Sequence, residues 1–233
     1  MTPAEDLLHV RQPPGQAMGK VAELWKPVEG TSKIMCTACA RYCKIGEGQV
    51  GLCGIRGVHQ GKLWLYVYGR VITGHVDPIE KKPVQHYRPG SKIFSIATTG
   101  CNWLCRYCQN ADISQRRKVE GIEVVPEDVV RMTVDQGCQG LAYTYNQPTI
   151  FIEFARDIGV LARNAGLINI FVSNGYDTPE TVHEMGKFLD CVTVDFKGSG
   201  ETEFVRKYIN IPNADPIYQT ILETRDTKNI HIE

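Results

Sequence analysis

The sequence predicts an α/β protein that is built on a parallel sheet. From residue 92 onward, short apolar runs typical of buried strands alternate with amphipathic segments typical of helices. Strands and helices that alternate in this way form βαβ units, whose right-handed crossovers leave the strands parallel. The chain also has nine cysteines, seven of them in two tight groups. Packing alone gives no reason for such repeats, so they indicate metal or redox chemistry. We therefore expect a ligand site at the carboxyl ends of the strands.

Composition narrows the class of protein. A chain of 233 residues fits one large domain, or one domain with a small appendage, and can bury a core without disulfides. Lys plus Arg and Asp plus Glu both number 26, which disfavours a broadly basic nucleic-acid binder. No apolar run reaches the length of a membrane helix, and the first residues lack the apolar region of a secretory signal. We expect a cytoplasmic protein with reduced thiols.

The elements before residue 92 are predicted to be short. Residues 1–30 indicate a loosely ordered arm with a short helix near Val21–Trp25, and residues 34–60 indicate a loop-rich region that a metal holds together. Alternating apolar residues predict a hairpin, or a pair of short strands, from Leu63–Tyr68 and Gly69–Val76.

The elements after residue 92 follow from hydrophobic periodicity and capping residues. The predicted strands are Ile93–Ala97, Leu141–Tyr145, Leu167–Ser173, Cys191–Phe196 and Asn229–Ile232. The predicted helices are Pro126–Gln136, Thr149–Asn164, one that begins after Asp177, Glu201–Tyr208 and Ile217–Arg225. Asp177 is interpreted as the N-cap of the third helix, with Glu180 placed to reach back.

The second cysteine group, C-x3-C-x2-C, directly follows the first of these strands. Thiolates of Cys101, Cys105 and Cys108 can hold three irons of a four-iron, four-sulfur cube and leave the fourth iron open. An open iron can chelate an amine and a carboxylate, and S-adenosylmethionine offers both. The alternative is a zinc site whose fourth ligand is a remote residue: His59, His75, His86 or Cys191.

The first cysteine group consists of Cys36, Cys39, Cys43 and Cys53. Four thiolates suffice to close a tetrahedral zinc site. They could equally hold a second four-iron cluster. Zinc would indicate a structural role, whereas a second cluster would indicate a path for electrons. The spacing of the four cysteines is compatible with both interpretations.

The cysteine motif resembles that of the radical SAM superfamily. Within it, the chain resembles the AmmeMemoRadiSam-type proteins, relatives of the pyruvate formate-lyase activating enzymes. The resemblance is carried by CTACARYC, GLCG, DPIEKKP, TTGCNWLCRYCQN, YTYNQPT, FVSNG and VDFKG. It implies a partial (β/α) TIM-type barrel over residues 91–233, preceded by an N-terminal arm and a small cysteine-rich metal module over residues 1–90. Since no helix follows the last predicted strand, we expect the C-terminal end of the barrel to be missing.

The resemblance also implies roles for individual residues. Cys101, Cys105 and Cys108 would bind the [4Fe-4S] cluster. The residues that would contact S-adenosylmethionine are Tyr107 at the adenine, Asn146 and Gln147 at the methionine amine, and Ser173, Asn174, Asp195 and Lys197 at the carboxylate or ribose. Close relatives usually have glutamate where this chain has Gln147, whose amide oxygen can still accept a hydrogen bond without charge assistance.

The implied function is reductive cleavage of S-adenosylmethionine to a 5′-deoxyadenosyl radical, which abstracts hydrogen from an unknown substrate. Glycyl-radical activation of a partner protein is one option. The implied electron donor is a flavodoxin or a ferredoxin, and no membrane or nucleic-acid partner is expected. One alternative is an iron–sulfur or zinc protein that transfers electrons without radical catalysis. Another is a zinc-binding interaction module.

Overall fold

A computed structural model describes residues 19–233 of the protein, so the part of the predicted arm before residue 19 lies outside the described residues. The strands in the described part are β1 Lys20–Val21, β2 Trp25–Pro27, β3 Ile34–Cys36, β4 Lys44–Ile45, β5 Arg56–His59, β6 Lys62–Leu65, β7 Arg70–Val71, β8 Thr73–Pro78, β9 Lys92–Ala97, β10 Ile122–Glu123, β11 Gly140–Tyr143, β12 Ile168–Ser173, β13 Cys191–Val194 and β14 His231–Ile232. The α-helices are α1 Ala111–Ser114, α2 Pro126–Asp135, α3 Ile152–Asn164, α4 Pro179–Met185, α5 Thr202–Phe204 and α6 Asp215–Asp226.

A six-stranded sheet forms the centre of the fold, with the strand order β14-β13-β12-β11-β9-β8. The five strands from β9 to β14 in this sheet pair in parallel, and β8 pairs antiparallel with β9. The parallel sheet predicted after residue 92 is therefore confirmed. The sheet is open, with β14 and β8 at its two edges, and no closed barrel forms within residues 19–233.

Helices cover this sheet because their apolar residues recur at helical spacing. Phe154, Ile158 and Ala162 form one fully buried stripe on α3, at i, i+4 and i+8. A 3-10 turn over Pro148–Phe151 precedes α3, and Gly166 (φ +77°) lies just beyond its end. No helix among residues 19–233 combines the length and the apolar composition that crossing a bilayer requires.

One prediction for the N-terminal part is wrong. No helix forms near Val21–Trp25, since Val21 pairs with Trp64 and Trp25 pairs with Cys36 in antiparallel strands. The prediction of a hairpin or a pair of short strands over residues 63–76 is correct for the short strands, but these strands do not pair with each other. β6 pairs with β5 across a turn at Gln60 and Gly61, which both have positive φ, while β8 joins the central sheet.

The start of α4 also differs from the prediction. Thr178, not Asp177, is the N-cap, because its side chain accepts a hydrogen bond from the Thr181 N–H at 3.2 Å. Asp177 is buried and points toward the end of β12, where the Ser173 hydroxyl donates to it at 3.1 Å. The segment predicted as the helix Glu201–Tyr208 is one short α-helical turn, α5, followed by a π-helical turn.

A buried ion pair joins the N-terminal strands to the helical layer. The Arg56 guanidinium on β5 donates to both carboxylate oxygens of Glu153 on α3 and, at 2.6 Å, to the Ile150 carbonyl oxygen. The Glu23 N–H also donates to Glu153, at 3.0 Å. Because removal of one partner would leave a buried charge uncompensated, this pair fixes how the two parts pack. The division into domains at residues 90 and 91 stays a prediction.

Candidate functional site

The carboxyl ends of β9, β11, β12 and β13 surround a cleft of about 610 Å³. Parallel strands bring these ends to one edge of the sheet, which is where ligands bind in open α/β folds. Every residue that the sequence assigned to the cluster or to S-adenosylmethionine lines this cleft. They are Cys101, Cys105, Tyr107, Cys108, Asn146, Gln147, Ser173, Asn174, Asp195 and Lys197.

The loop after β9 carries the three cysteines. Hydrogen bonds from Asn146 and packing against the Cys53 backbone hold it in place. The Asn146 side-chain amide donates to the carbonyl oxygens of Thr98, at 2.9 Å, and Gly100, at 2.8 Å. Gly100 has φ +90°, and a Cβ atom there would lie 2.5 Å from the Cys53 carbonyl oxygen. Only glycine therefore fits where this loop crosses the N-terminal cysteine region.

Two of the three thiols, Cys101 and Cys105, lie in an environment that opposes negative charge. Burial raises the pKa of Cys101, and the backbone N–H groups of Trp103 and Gln147 counteract it. Burial and the neighbouring Cys101 and Cys108 raise the pKa of Cys105 to about 12. The Cys108 sulfur lies 3.1 Å from the Ser114 hydroxyl. Thiolates in such a place need a positive partner, which an iron–sulfur cluster provides.

Buried polar atoms in the cleft indicate where a ligand fits. The Asn146 Oδ1 atom and the Trp103 indole N–H are buried, and neither has a hydrogen-bond partner among the described residues. A buried acceptor without a donor is costly, so the Asn146 oxygen suits an incoming N–H group such as an ammonium. Three thiols and this free acceptor fit a cluster together with an amino-acid ligand.

The Gln147 side chain takes part in a network of buried hydrogen bonds. Its amide nitrogen, which has two N–H donors, lies within hydrogen-bond distance of the Thr149 hydroxyl at 2.8 Å, the Ser173 hydroxyl at 2.8 Å and the Asp177 carboxylate at 2.9 Å. Its amide oxygen accepts the Asn174 N–H at 2.7 Å. Gln147 therefore ties the end of β11 to the end of β12.

Two further predicted residues form a charged pair at the end of β13. The Lys197 ammonium lies 2.6 Å from the Asp195 carboxylate. Tyr107 lines the same cleft; its side chain is half exposed, and its ring centroid lies 6.5 Å from that of Phe204. An aromatic face beside a polar pair can contact a base and a ribose.

The N-terminal cysteines gather elsewhere. Cys36, Cys39, Cys43 and Cys53 line one small cavity of about 10 Å³, and burial raises the pKa of each thiol. In neither cysteine group, nor elsewhere in residues 19–233, do three side chains of Cys, His, Asp or Glu lie close enough to hold a single metal ion. Arg41 stands between the groups and donates to the Asn102 carbonyl oxygen at 2.8 Å.

Sequence reasoning missed three residues of this region. Asn110 donates to the Tyr145 carbonyl oxygen at 3.0 Å and thereby joins the cysteine loop to β11. Asp177 supports Gln147, although its position before a helix favoured a capping role. Lys82 lies in the segment DPIEKKP, for which the sequence indicated no chemistry, yet it lines the cleft.

The buried Asp177 predicts a pH-dependent stability. Burial raises its pKa from the usual value of 3.8 to about 6, although hydrogen bonds from Thr149, Ser173 and Gln147 act to lower it. The folded chain thus binds this proton more tightly than the unfolded chain. The resulting stability is fully present below about pH 3.8 and is lost as the pH rises through about 6.

Urea denaturation of the wild type and of Asp177→Asn should show this loss. Between about pH 5 and pH 8, the free energy of unfolding of the wild type should fall by about 1.5 kcal/mol relative to that of the variant. The variant is the matched control, because it keeps a hydrogen-bonding side chain and cannot ionise. Parallel pH curves for the two proteins would contradict the expectation.

The chain is similar in sequence to a curated protein and, remotely, in structure to a solved protein. An uncharacterized protein of Methanocaldococcus jannaschii is 36% identical over 191 residues, which are 81% of this chain and 56% of that relative. The chain thus spans little more than half the length of the curated relative. The structure of TYW1 with a lysine-pyruvate adduct bound has a TM-score of 0.41 and 15% identity, over 60% of this chain and 54% of that one. This structural likeness is too remote to support an argument.

A match to a family model is more informative, since it covers more than half of the chain. The model describes the radical SAM superfamily and matches residues 95–229. This range contains the loop with Cys101, Cys105 and Cys108 and the ends of β11, β12 and β13 that surround the cleft. The chain therefore belongs to the radical SAM superfamily.

Proposed function

We propose that the protein is an enzyme that reductively cleaves S-adenosylmethionine and uses the resulting radical to remove a hydrogen atom from a substrate. The observation that carries this proposal is the cleft itself. Three thiols of one loop line the same space as Asn146, whose side-chain oxygen is buried without a hydrogen-bond partner among the described residues. Membership of the superfamily implies both a [4Fe-4S] cluster and S-adenosylmethionine.

In this proposal Cys101, Cys105 and Cys108 would hold three irons of the cluster, which would leave the fourth iron without a protein ligand. When bound, the reduced cluster supplies the electron that cleaves the sulfonium bond, so that methionine and a 5′-deoxyadenosyl radical form. The residues of the cleft position the reacting groups and transfer no proton. The backbone N–H groups of Trp103 and Gln147 orient the Cys101 thiolate.

The remaining residues of the cleft orient the nucleotide. The Asn146 Oδ1 atom accepts a hydrogen bond from the methionine ammonium, while its amide nitrogen keeps the cysteine loop in place. Gln147 is a positioning residue, because its whole amide group is used to join β11 to β12. Tyr107 contacts the adenine, and Asp195 with Lys197 contacts the ribose or the carboxylate.

The electron comes from a partner such as a flavodoxin or a ferredoxin. The substrate is a molecule that enters the same cleft, and glycyl-radical activation of a partner protein is one form that the reaction can take. The resemblance to the pyruvate formate-lyase activating enzymes supports that form, and the cytoplasmic location stays a prediction from the sequence.

Cleavage of S-adenosylmethionine tests the proposed function directly. The full chain is reconstituted anaerobically with iron and sulfide, then given dithionite and S-adenosylmethionine. We expect equal amounts of 5′-deoxyadenosine and methionine, measured by chromatography. Cys105→Ala should reduce both products to the level found without protein, because the cluster loses one of its three ligands.

Cys138→Ala is the matched control, since Cys138 is a cysteine that does not line the cleft. It should form as much product as the wild type. A wild type that binds iron and sulfide but forms no 5′-deoxyadenosine would favour electron transfer without radical catalysis. Zinc alone, without iron or acid-labile sulfide, would overturn the proposal.

A second metal at Cys36, Cys39, Cys43 and Cys53 completes the proposal. Its support is that these four thiols, three of them buried, line one cavity. Each of them accepts at least one backbone N–H, as the Cys39 sulfur does from Arg41. Such donors stabilise thiolates that bind a metal. Zinc and an iron–sulfur cluster are both compatible with four thiolates.

Metal analysis of a chain without the other cysteine group tests this second site. The triple variant Cys101→Ala, Cys105→Ala and Cys108→Ala should retain about one zinc ion, or about four irons with sulfide, per chain. Further replacement of Cys39 by alanine should remove that metal. A triple variant that binds neither zinc nor iron after reconstitution would exclude the second metal.

A further inference from the structure

A cluster of four polar side chains lies at the opposite end of the cleft from β13. The Lys81 and Lys82 ammonium groups each lie 2.6 Å from the Asp77 carboxylate. The Tyr145 hydroxyl donates to the same carboxylate at 3.0 Å. Lys81, Lys82 and Tyr145 line the cleft that holds the three cysteines. We call these four residues the lysine cluster.

Lys82 is the residue that requires an explanation. Its side chain is only 3% exposed, and lysine is almost never buried without a partner. An ammonium group has three N–H donors. Asp77 takes one, and the Tyr145 hydroxyl stands 3.5 Å away, at the limit of a hydrogen bond. The described residues thus leave Lys82 with donor capacity on the wall of the cleft.

The charges of the lysine cluster do not balance. Two ammonium groups share the single carboxylate of Asp77, whose pKa they hold far below its usual range although burial opposes this. At the other end of the cleft, Asp195 and Lys197 neutralise each other. The cleft wall therefore carries a net positive charge at Lys81 and Lys82, and this charge favours an anion.

Tyr145 fixes the lysine cluster relative to the proposed reaction site. It has φ +68°, a strained conformation for a residue other than glycine. Its carbonyl oxygen accepts the Asn110 amide from the cysteine loop, and its ring lies 4.6 Å from the Lys82 ammonium. Burial, aided by Asp77, raises its pKa to about 12, so the hydroxyl keeps its proton. Asn146 and Gln147 follow it directly.

We propose that Lys81 and Lys82, held in place by Asp77 and Tyr145, bind an oxyanion of the substrate, either a carboxylate or a phosphate. The inference rests on the proposed function, because that function makes the cleft the reaction site. Both oxyanions accept several hydrogen bonds from ammonium groups. A substrate that is anchored there would lie beside the residues that hold S-adenosylmethionine, as hydrogen abstraction requires.

Calorimetric titration of the reconstituted full chain, without S-adenosylmethionine, tests the inference. Inorganic phosphate and acetate serve as separate probes at millimolar concentrations. Binding of phosphate alone would assign the site to phosphorylated substrates, and binding of acetate to carboxylates. Lys82→Met should weaken the binding by about 10-fold or more, and Lys81→Met, at an exposed residue, by less. Lys82→Arg should retain most of the affinity.

Lys187→Met is the matched control, since Lys187 is also paired with a carboxylate, 2.5 Å from Glu184, but does not line the cleft. It should bind the probes as the wild type does, and thermal unfolding shows whether each variant is folded. Absence of binding to the wild type, or equal binding by Lys82→Met, would overturn the inference. The titration measures anion binding and involves no cleavage of S-adenosylmethionine. Absence of anion binding would therefore overturn this inference, whereas absence of 5′-deoxyadenosine would overturn the proposed function.

Discussion

The parallel pairing of β9, β11, β12 and β13 is the constraint on which the site depends. Since the strands run in one direction, their carboxyl ends share one edge, and four separate loops meet there. The three cysteines come from the first loop, and the polar residues come from the other three. Without this parallel arrangement, residues more than 90 positions apart in the sequence, such as Cys101 and Asp195, could not line the same cleft.

Contacts between the two cysteine regions extend this constraint to the N-terminal strands. Arg56 and Glu153 bind β5 to α3, and the backbone at Gly100 packs against that of Cys53. Arg41 reaches from the first cysteine group to the loop of the second. A metal at the first group would therefore stiffen the loop that carries the proposed cluster, whether that metal is zinc or iron.

The sequence predicted what depends on local pattern and missed what depends on distant partners. Strand and helix periodicity located the central sheet, and cysteine spacing marked the loop after β9. Asp177 was misjudged because a residue before a helix usually caps it, whereas burial beside Ser173 is visible only in three dimensions. Lys82 was missed because a lysine is ordinarily exposed, and only the partner Asp77 makes its burial tolerable.

Electron paramagnetic resonance of the reduced full chain, recorded before and after addition of S-adenosylmethionine, tests the central claim most directly. If Cys101, Cys105 and Cys108 leave one iron open to this ligand, its addition should change the signal of the reduced cluster. The same change should be absent from the Cys105→Ala variant. This comparison distinguishes the signal of the cluster in the cleft from the signal of any cluster at the N-terminal cysteines. A wild-type signal that S-adenosylmethionine leaves unaltered would contradict an open iron in this cleft.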